Sequence, residues 1–218
     1  MTPMQADSRP AAQRCHAPPV ALPGFSHINR YWDRTHQIYA AKILPGEFYV
    51  TRHDEMITTV LGSCIAVCIR DSGNGVGGMN HFMLPGTSDG SSDPALSDSA
   101  RYGTYAMEML INEILKNGGE RERLEVKVFG GGRILKQMTD IGQRNIAFTR
   151  QYLVTERLRV VSADVGDVYP RKVQFFPATG LARVKKLRSL HNKTIVERET
   201  HYMNDLVSRP VAGEIDLF

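Results

Sequence analysis

A chain of 218 residues, 42% hydrophobic and 23% charged, suits one domain with a real core and excludes disordered or fibrous classes. Its net charge of +4 is mildly basic, and the one cluster, Arg183, Lys185, Lys186 and Arg188, alternates through "LARVKKL" like the wet face of a strand, which argues against a nucleic-acid surface. No apolar run approaches the roughly 20 residues of a membrane span, and "MTPMQADSRPAAQRC" lacks the basic head and apolar stretch of a secretory signal.

Residues 1–42 read as a loose extension, in which "HINRYWDRTHQIY" docks as a strap through Tyr31 and Trp32. A globular domain is expected over residues 43–200 and a tail over 201–218. "GEFYVT", "EMITTVLG" and "CIAVCIR" have strand length and composition, and "GVGGMNH" returns as the partner of the last. "PGTSDGSSDPALSDS" is a polar loop. A helix is predicted from Ser99, its N-cap, to about Asn117, with Tyr102, Tyr105, Ala106, Met109, Leu110 and Ile114 at helical offsets and Gly118-Gly119 as its stop. "LEVKVF" alternates as a strand into Gly130-Gly131-Gly132, "IGQRNIAFTRQYLVTE" is a second helix, and "LRVVSAD" is another strand. "KVQFFPATG" with "ARVKKL" forms a hairpin, "KTIVERE" adds an edge strand, and "GEIDLF" ends the chain as an acidic tail. Strands in runs with two interspersed helices favour an α+β layered sandwich of mainly antiparallel strands over a doubly wound parallel sheet.

The chemistry concentrates between residues 58 and 85. If Asp71–Asn74 form the loop of the "CIAVCIR"/"GVGGMNH" hairpin, paired residues sum to 145, and Cys64 lies opposite His81. Directly opposed side chains sit about 4.5–5.5 Å apart at Cβ, so thiol and imidazole share a face. A one-residue slip would separate them. Cysteine acts as its thiolate, and an adjacent imidazole is a recognised means of forming it. Gly62 and Ser63, just before the cysteine, offer backbone N–H groups for a developing oxyanion. Thr58, Thr59, Ser63 and Asn80 are candidates to orient the imidazole. A straight strand would hold Thr58 about 20 Å from Cys64, so Thr58 serves only if the chain folds back near Gly62. The reading requires thiol and imidazole to share the rim of a pocket that admits an extended side chain.

Plainer readings compete. "CIAVCI" makes an ordinary core strand, which is the preferred role for Cys68, and Cys15 is an incidental thiol. A zinc site from Cys64, Cys68 and His81 lacks a CxxC pair and a fourth ligand. Gly130–Gly132 has neither GxGxxG spacing nor a P-loop Lys-Ser/Thr, which favours a tight turn or close packing. His53 reads as surface, and His191 and His201 have no partner that spacing can name.

"LGSC", followed 17 residues later by the histidine of "MNHFMLP", resembles the CheD family of chemoreceptor glutamine deamidases. "RYGTYAMEMLINEILKNGG", "KVFGGG" and "IGQRN" extend the resemblance over roughly residues 43–190. It implies a sandwich related to the deamidase domain of cytotoxic necrotizing factor toxins, with Cys64 as nucleophile, His81 as base and Thr58 as third member. Gly62, Ser63 and Asn80 are then the expected oxyanion and substrate contacts. It also implies deamidation of glutamines on methyl-accepting chemotaxis receptors in the cytoplasm, without metal or organic cofactor, and a possible CheC-like phosphatase partner. The leader before residue 43 and "SADVGDVYPRKVQF", which lacks a glycine pair common in the family, depart from the pattern. The rival classes are a non-catalytic chemotaxis adaptor and, more distantly, a cysteine protease or transglutaminase.

Overall fold

The structure, a computed structural model, describes residues 17–85, 98–134, 141–188 and 193–208. Ten strands among them form two five-stranded sheets. The first sheet has the order β1 (Asn29–Asp33), β2 (Ile38–Lys42), β4 (Glu55–Leu61), β9 (Arg171–Phe176) and β10 (Leu181–Lys186). The second has β3 (Phe48–Thr51), β6 (Gly77–Asn80), β5 (Ile65–Asp71), β7 (Leu124–Gly130) and β8 (Arg159–Val165). Only β2–β4 and β7–β8 run parallel. Helices α1 (Asp98–Lys116) and α2 (Ile141–Thr155) pack on the second sheet, α1 over β3, β5 and β6 and α2 over β5 and β8. One apolar cluster draws on both sheets, from Ile57, Leu61, Val173 and Phe175 to Ile65, Val67, Ile69 and Val126, with Leu110 and Ile114 of α1. The architecture is the α+β sandwich expected, with a third helix added.

Strands β4 and β5 are almost wholly buried, which explains the near-continuous apolar run of β5. Strand β7 alternates buried and half-buried residues, as a strand with one wetter face must. Helix α1 stops where Gly118, at φ +94°, turns back and Gly119 N–H bonds the Ile114 carbonyl.

Three expectations change. The stretch before residue 43 contributes strands β1 and β2, whose register sets Trp32 against Tyr39 with their rings in edge contact, so the strap is a hairpin at the sheet edge. The β5–β6 register sums to 147, not 145, because Asp71 N–H bonds the Val76 carbonyl and the loop is Ser72–Gly75. Asp71 organises that loop through its carboxylate, which accepts from the N–H groups of Gly73 and Asn74. Finally, "KTIVERE" is the start of helix α3 (Lys193–Ser208), which runs across the boundary expected at residue 200. Val196, Glu199, Met203 and Leu206 of α3 lie on its protected side, a helical spacing that a short strand reading overlooks. "GEIDLF", Cys15 and His191 lie outside the described residues.

Candidate active site

The site is built where the chain leaves one sheet for the other. Strand β4 ends in the first sheet at Leu61, β5 starts in the second at Ile65, and Gly62-Ser63-Cys64 makes the corner. All three corner carbonyls are held from behind. Gly62 O accepts from Gly132 N–H at 2.7 Å, Cys64 O from Gly131 N–H at 2.7 Å, and Ser63 O from the Asn145 side-chain amide at 2.9 Å. The glycine run is thus close packing with a purpose. A Cβ on Gly130 would overlap the Cys64 carbonyl, and one on Gly132 would lie 2.8 Å from the Gly62 carbonyl. With carbonyls pinned on one side, the three N–H groups of the corner are free to serve a common acceptor on the other.

The acceptor in this structure is Glu199 of α3. Its carboxylate takes the Gly62 N–H at 2.7 Å, the Ser63 N–H at 2.8 Å, the Ser63 hydroxyl at 2.7 Å and, at 3.4 Å, the Cys64 N–H. Gly62 and Ser63 therefore stand where an oxyanion-binding pair was expected. Asn80 does not. Its side-chain oxygen accepts from Val67 N–H and its amide donates to the Ala106 carbonyl, so it ties β5 to α1.

The register shift of two residues places His81 opposite Ala66 rather than Cys64, yet side chains in a strand alternate with period two, so thiol and imidazole keep a common face. The Cys64 sulfur, a His81 ring nitrogen and a Glu199 carboxylate oxygen all lie within 4.8 Å of one another. The partner of His81 Nδ1 is the Thr59 hydroxyl, at 2.8 Å. Thr58 faces the other way, its hydroxyl donating to the Val173 carbonyl at 2.9 Å. Adjacent residues of a strand point to opposite faces, so one position decides which threonine meets the ring. Thr59 also bonds the Ile43 carbonyl at 2.8 Å. A carbonyl only accepts, so the single hydroxyl proton goes to Ile43 and Thr59 must accept from Nδ1–H. That fixes the tautomer: the lone pair is on Nε2, a buried atom with no hydrogen-bond partner among the described residues.

Cys64 is fully buried and His81 is 1% exposed, so the expected open rim is closed in this state, and α3 is the element that closes it. Burial and then the Glu199 carboxylate push the Cys64 thiol well above its ordinary value. Burial and then the Arg198 guanidinium push His81 down to about 3. Both shifts favour the neutral forms. A metal on Cys64, His81 and Glu199 fits poorly, because both Glu199 oxygens are already engaged by the corner donors. Cys68, in mid-strand opposite Met79, is not in the cluster and is a core residue. His53 is exposed, and exposed His201 pairs with Asp205.

A family model described as "CheD chemotactic sensory transduction" matches residues 83–186, just past His81. Curated relatives cover the rest. A "Probable chemoreceptor glutamine deamidase CheD" of Halorhodospira halophila is 57% identical over 203 residues, 92% of this chain and 94% of that protein. The chain belongs to the CheD family. Proteins of the same description from Thiobacillus denitrificans and Methylobacillus flagellatus are 56% and 55% identical, each over 87% of this chain and 95% of its own length. Within this family member, sequence reasoning missed Glu199, Asn145 and the choice of Thr59. The signal for Glu199 was a lone carboxylate inside an apolar stripe at 196, 203 and 206. Asn145 carried only a weak one, an amide in the buried row of α2 with Ile141, Ile146, Thr149 and Leu153. No described helix is long and apolar enough to cross a membrane.

Proposed function

We propose that this chain is a chemoreceptor glutamine deamidase, with Cys64 as nucleophile, His81 as base and Thr59 as the group that orients it. The carrying observation is the corner itself: a thiol beside an imidazole whose Nε2 is free, and backbone N–H groups already gripping a carboxylate. The glutamine deamidase description of relatives that align over 92% and 87% of the chain supports the same reading.

His81 Nε2 takes the thiol proton as Cys64 sulfur attacks the carboxamide carbon of a receptor glutamine. The oxyanion sits on the N–H groups of the corner, which are preorganised because their carbonyls are held by Gly131, Gly132 and Asn145. The His81 imidazolium then protonates the departing nitrogen, and ammonia leaves a thioester on Cys64. Water, deprotonated by His81, opens the thioester and leaves glutamate. Atoms balance with water as the only co-reactant. Each turnover places a negative charge on a receptor helix, which a later methylation can neutralise.

The test is intact-mass analysis of a glutamine-bearing receptor cytoplasmic fragment. Wild type should add about 1 Da per modified glutamine, and Cys64→Ala should add nothing while remaining folded. Conversion by the Cys64→Ala protein at the wild-type rate would remove the thiol from the reaction.

A further inference from the structure

What closes the site has the chemistry of the product. Deamidation leaves a glutamate side chain on a helix, and the group seated on the Gly62, Ser63 and Cys64 donors is a glutamate side chain on a helix. Its carboxylate lies within 4.8 Å of the Cys64 sulfur and the His81 ring. The fit is close: a Cβ on Gly62 would lie 2.7 Å from a Glu199 oxygen. Around it, α3 is held as a partner helix would be. Met203, one turn on, is buried, Val196 and Tyr202 pack against the core, the Tyr202 and Tyr102 hydroxyls are hydrogen-bonded, and Arg198 donates to the Val60 carbonyl. The docking is imperfect at Arg198, whose Nε is buried without a partner among the described residues. Beside Tyr202 lies a cavity of about 250 Å³ that reaches His81 and is lined also by Gly46, Phe48, Asn80, Tyr102 and Tyr105.

Resting on the deamidase reading, we propose that α3 is a built-in product mimic: Glu199 holds the place of the newly formed glutamate, the seat of α3 is the substrate groove, and a receptor helix enters by displacing α3. The groove then selects an amphipathic helix with its glutamine on the apolar face, flanked by apolar residues three before and four after, as Val196 and Met203 flank Glu199. A carboxylate accepts from every donor of the corner, whereas a carboxamide turns its NH₂ toward some of them. The internal glutamate is therefore the better occupant, and the resting enzyme is closed until a substrate helix competes. The docked helix also disarms the chemistry, because Glu199 disfavours the thiolate and Arg198 disfavours the imidazolium.

The decisive variant is Glu199→Gln in the full chain, which offers the enzyme its own helix as substrate. Cys64 attacks the carboxamide carbon of the introduced glutamine, ammonia leaves with the His81 proton, and water opens the thioester, restoring glutamate at 199. Peptide mass analysis should find position 199 converted in Glu199→Gln, at a rate independent of protein concentration, and still glutamine in the Cys64→Ala, Glu199→Gln double variant. If position 199 stays glutamine while the same sample converts a receptor fragment, the seating of α3 is not a product pose and the proposal falls, with the deamidase reading intact. If the sample converts neither, the deamidase reading fails too. A second measurement does not depend on turnover. Met203→Ala should raise the rate of Cys64 alkylation by iodoacetamide at least tenfold over wild type, with buried Cys68 still protected to show that the fold persists. Equal Cys64 labelling in both proteins, or Cys68 exposed together with Cys64, would show that α3 is not a separable cover and overturn the proposal.

Discussion

Replacing Thr59 by Val keeps the β-branched shape that a strand favours and removes only the hydroxyl. The loss falls on two partners, the Ile43 carbonyl and His81 Nδ1, both at 2.8 Å. The Nδ1–H is left unpaired in a site sealed from water, a cost of about 1–3 kcal/mol. For a domain of this size that lowers Tm by roughly 2–12 °C, at about 2–4 °C per kcal/mol. The kinetic effect is separate. Without an acceptor at Nδ1 the ring is free to rotate or to carry its proton on Nε2, and in either state it is no base for Cys64. A fall in kcat/KM of about 10- to 100-fold is expected, equal to ~1.4–2.7 kcal/mol of transition-state stabilisation. Thr58→Val is the matched control on the opposite face. It loses one hydrogen bond to Val173, costs about 1 kcal/mol of stability, and should keep kcat/KM within about threefold. Both variants are assayed by ammonia release from a glutamine-bearing receptor fragment, with thermal melts in parallel. If Thr58→Val loses the activity and Thr59→Val keeps it, the tautomer argument and the assignment of Thr59 are both refuted.

Three further outcomes follow from the same geometry. Gly130→Ala should destabilise by about 3 kcal/mol or more, since φ is +113° and the new Cβ meets the backbone of Cys64, which cannot swing aside as a side chain can; a denaturant midpoint equal to wild type would contradict it. His81 is held down to about 3 by burial and by Arg198, so between about pH 6.5 and 3 the unfolded chain binds a proton there that the folded chain refuses. Stability therefore falls as pH drops through that window, and His81→Gln should flatten this limb of a stability-against-pH curve. Asp71 acts in the same direction at lower pH: the Arg123 guanidinium and three backbone N–H groups hold its carboxyl well below the usual carboxylate range. Its contribution is present above about pH 4 and lost as pH falls further, and Asp71→Asn should lower Tm at pH 7 more than at pH 3.

The helix α1, the strands β4, β5 and β7 and the β9–β10 hairpin were legible because each repeats its apolar residues with its own period or stops at a recognisable turn. The pairing of Cys64 with His81 survived a register error for a specific reason. The loop began at Ser72 rather than Asp71, which moved the pairing by two residues, and an even shift leaves every side chain on its original face. The threonine did not survive, because 58 and 59 differ by one, and an odd step reverses the face. Strands β1 and β2 were obscured by the loose, proline-rich composition of the residues before them, and α3 by a β-branched start, Thr194-Ile195-Val196, that imitates a strand.

Sequence alone determined that thiol, imidazole and glycine corner share one face, since they sit within 20 residues and one hairpin brings them together. Only the tertiary structure decided how that chemistry is held and covered. Asn145 and Gly131–Gly132 reach the corner from α2 and the end of β7, and Glu199 reaches it from more than 130 positions away. Local pattern reports the face on which a side chain lies. It does not report which distant segment will lie against that face, because that choice is made by the packing of the whole core.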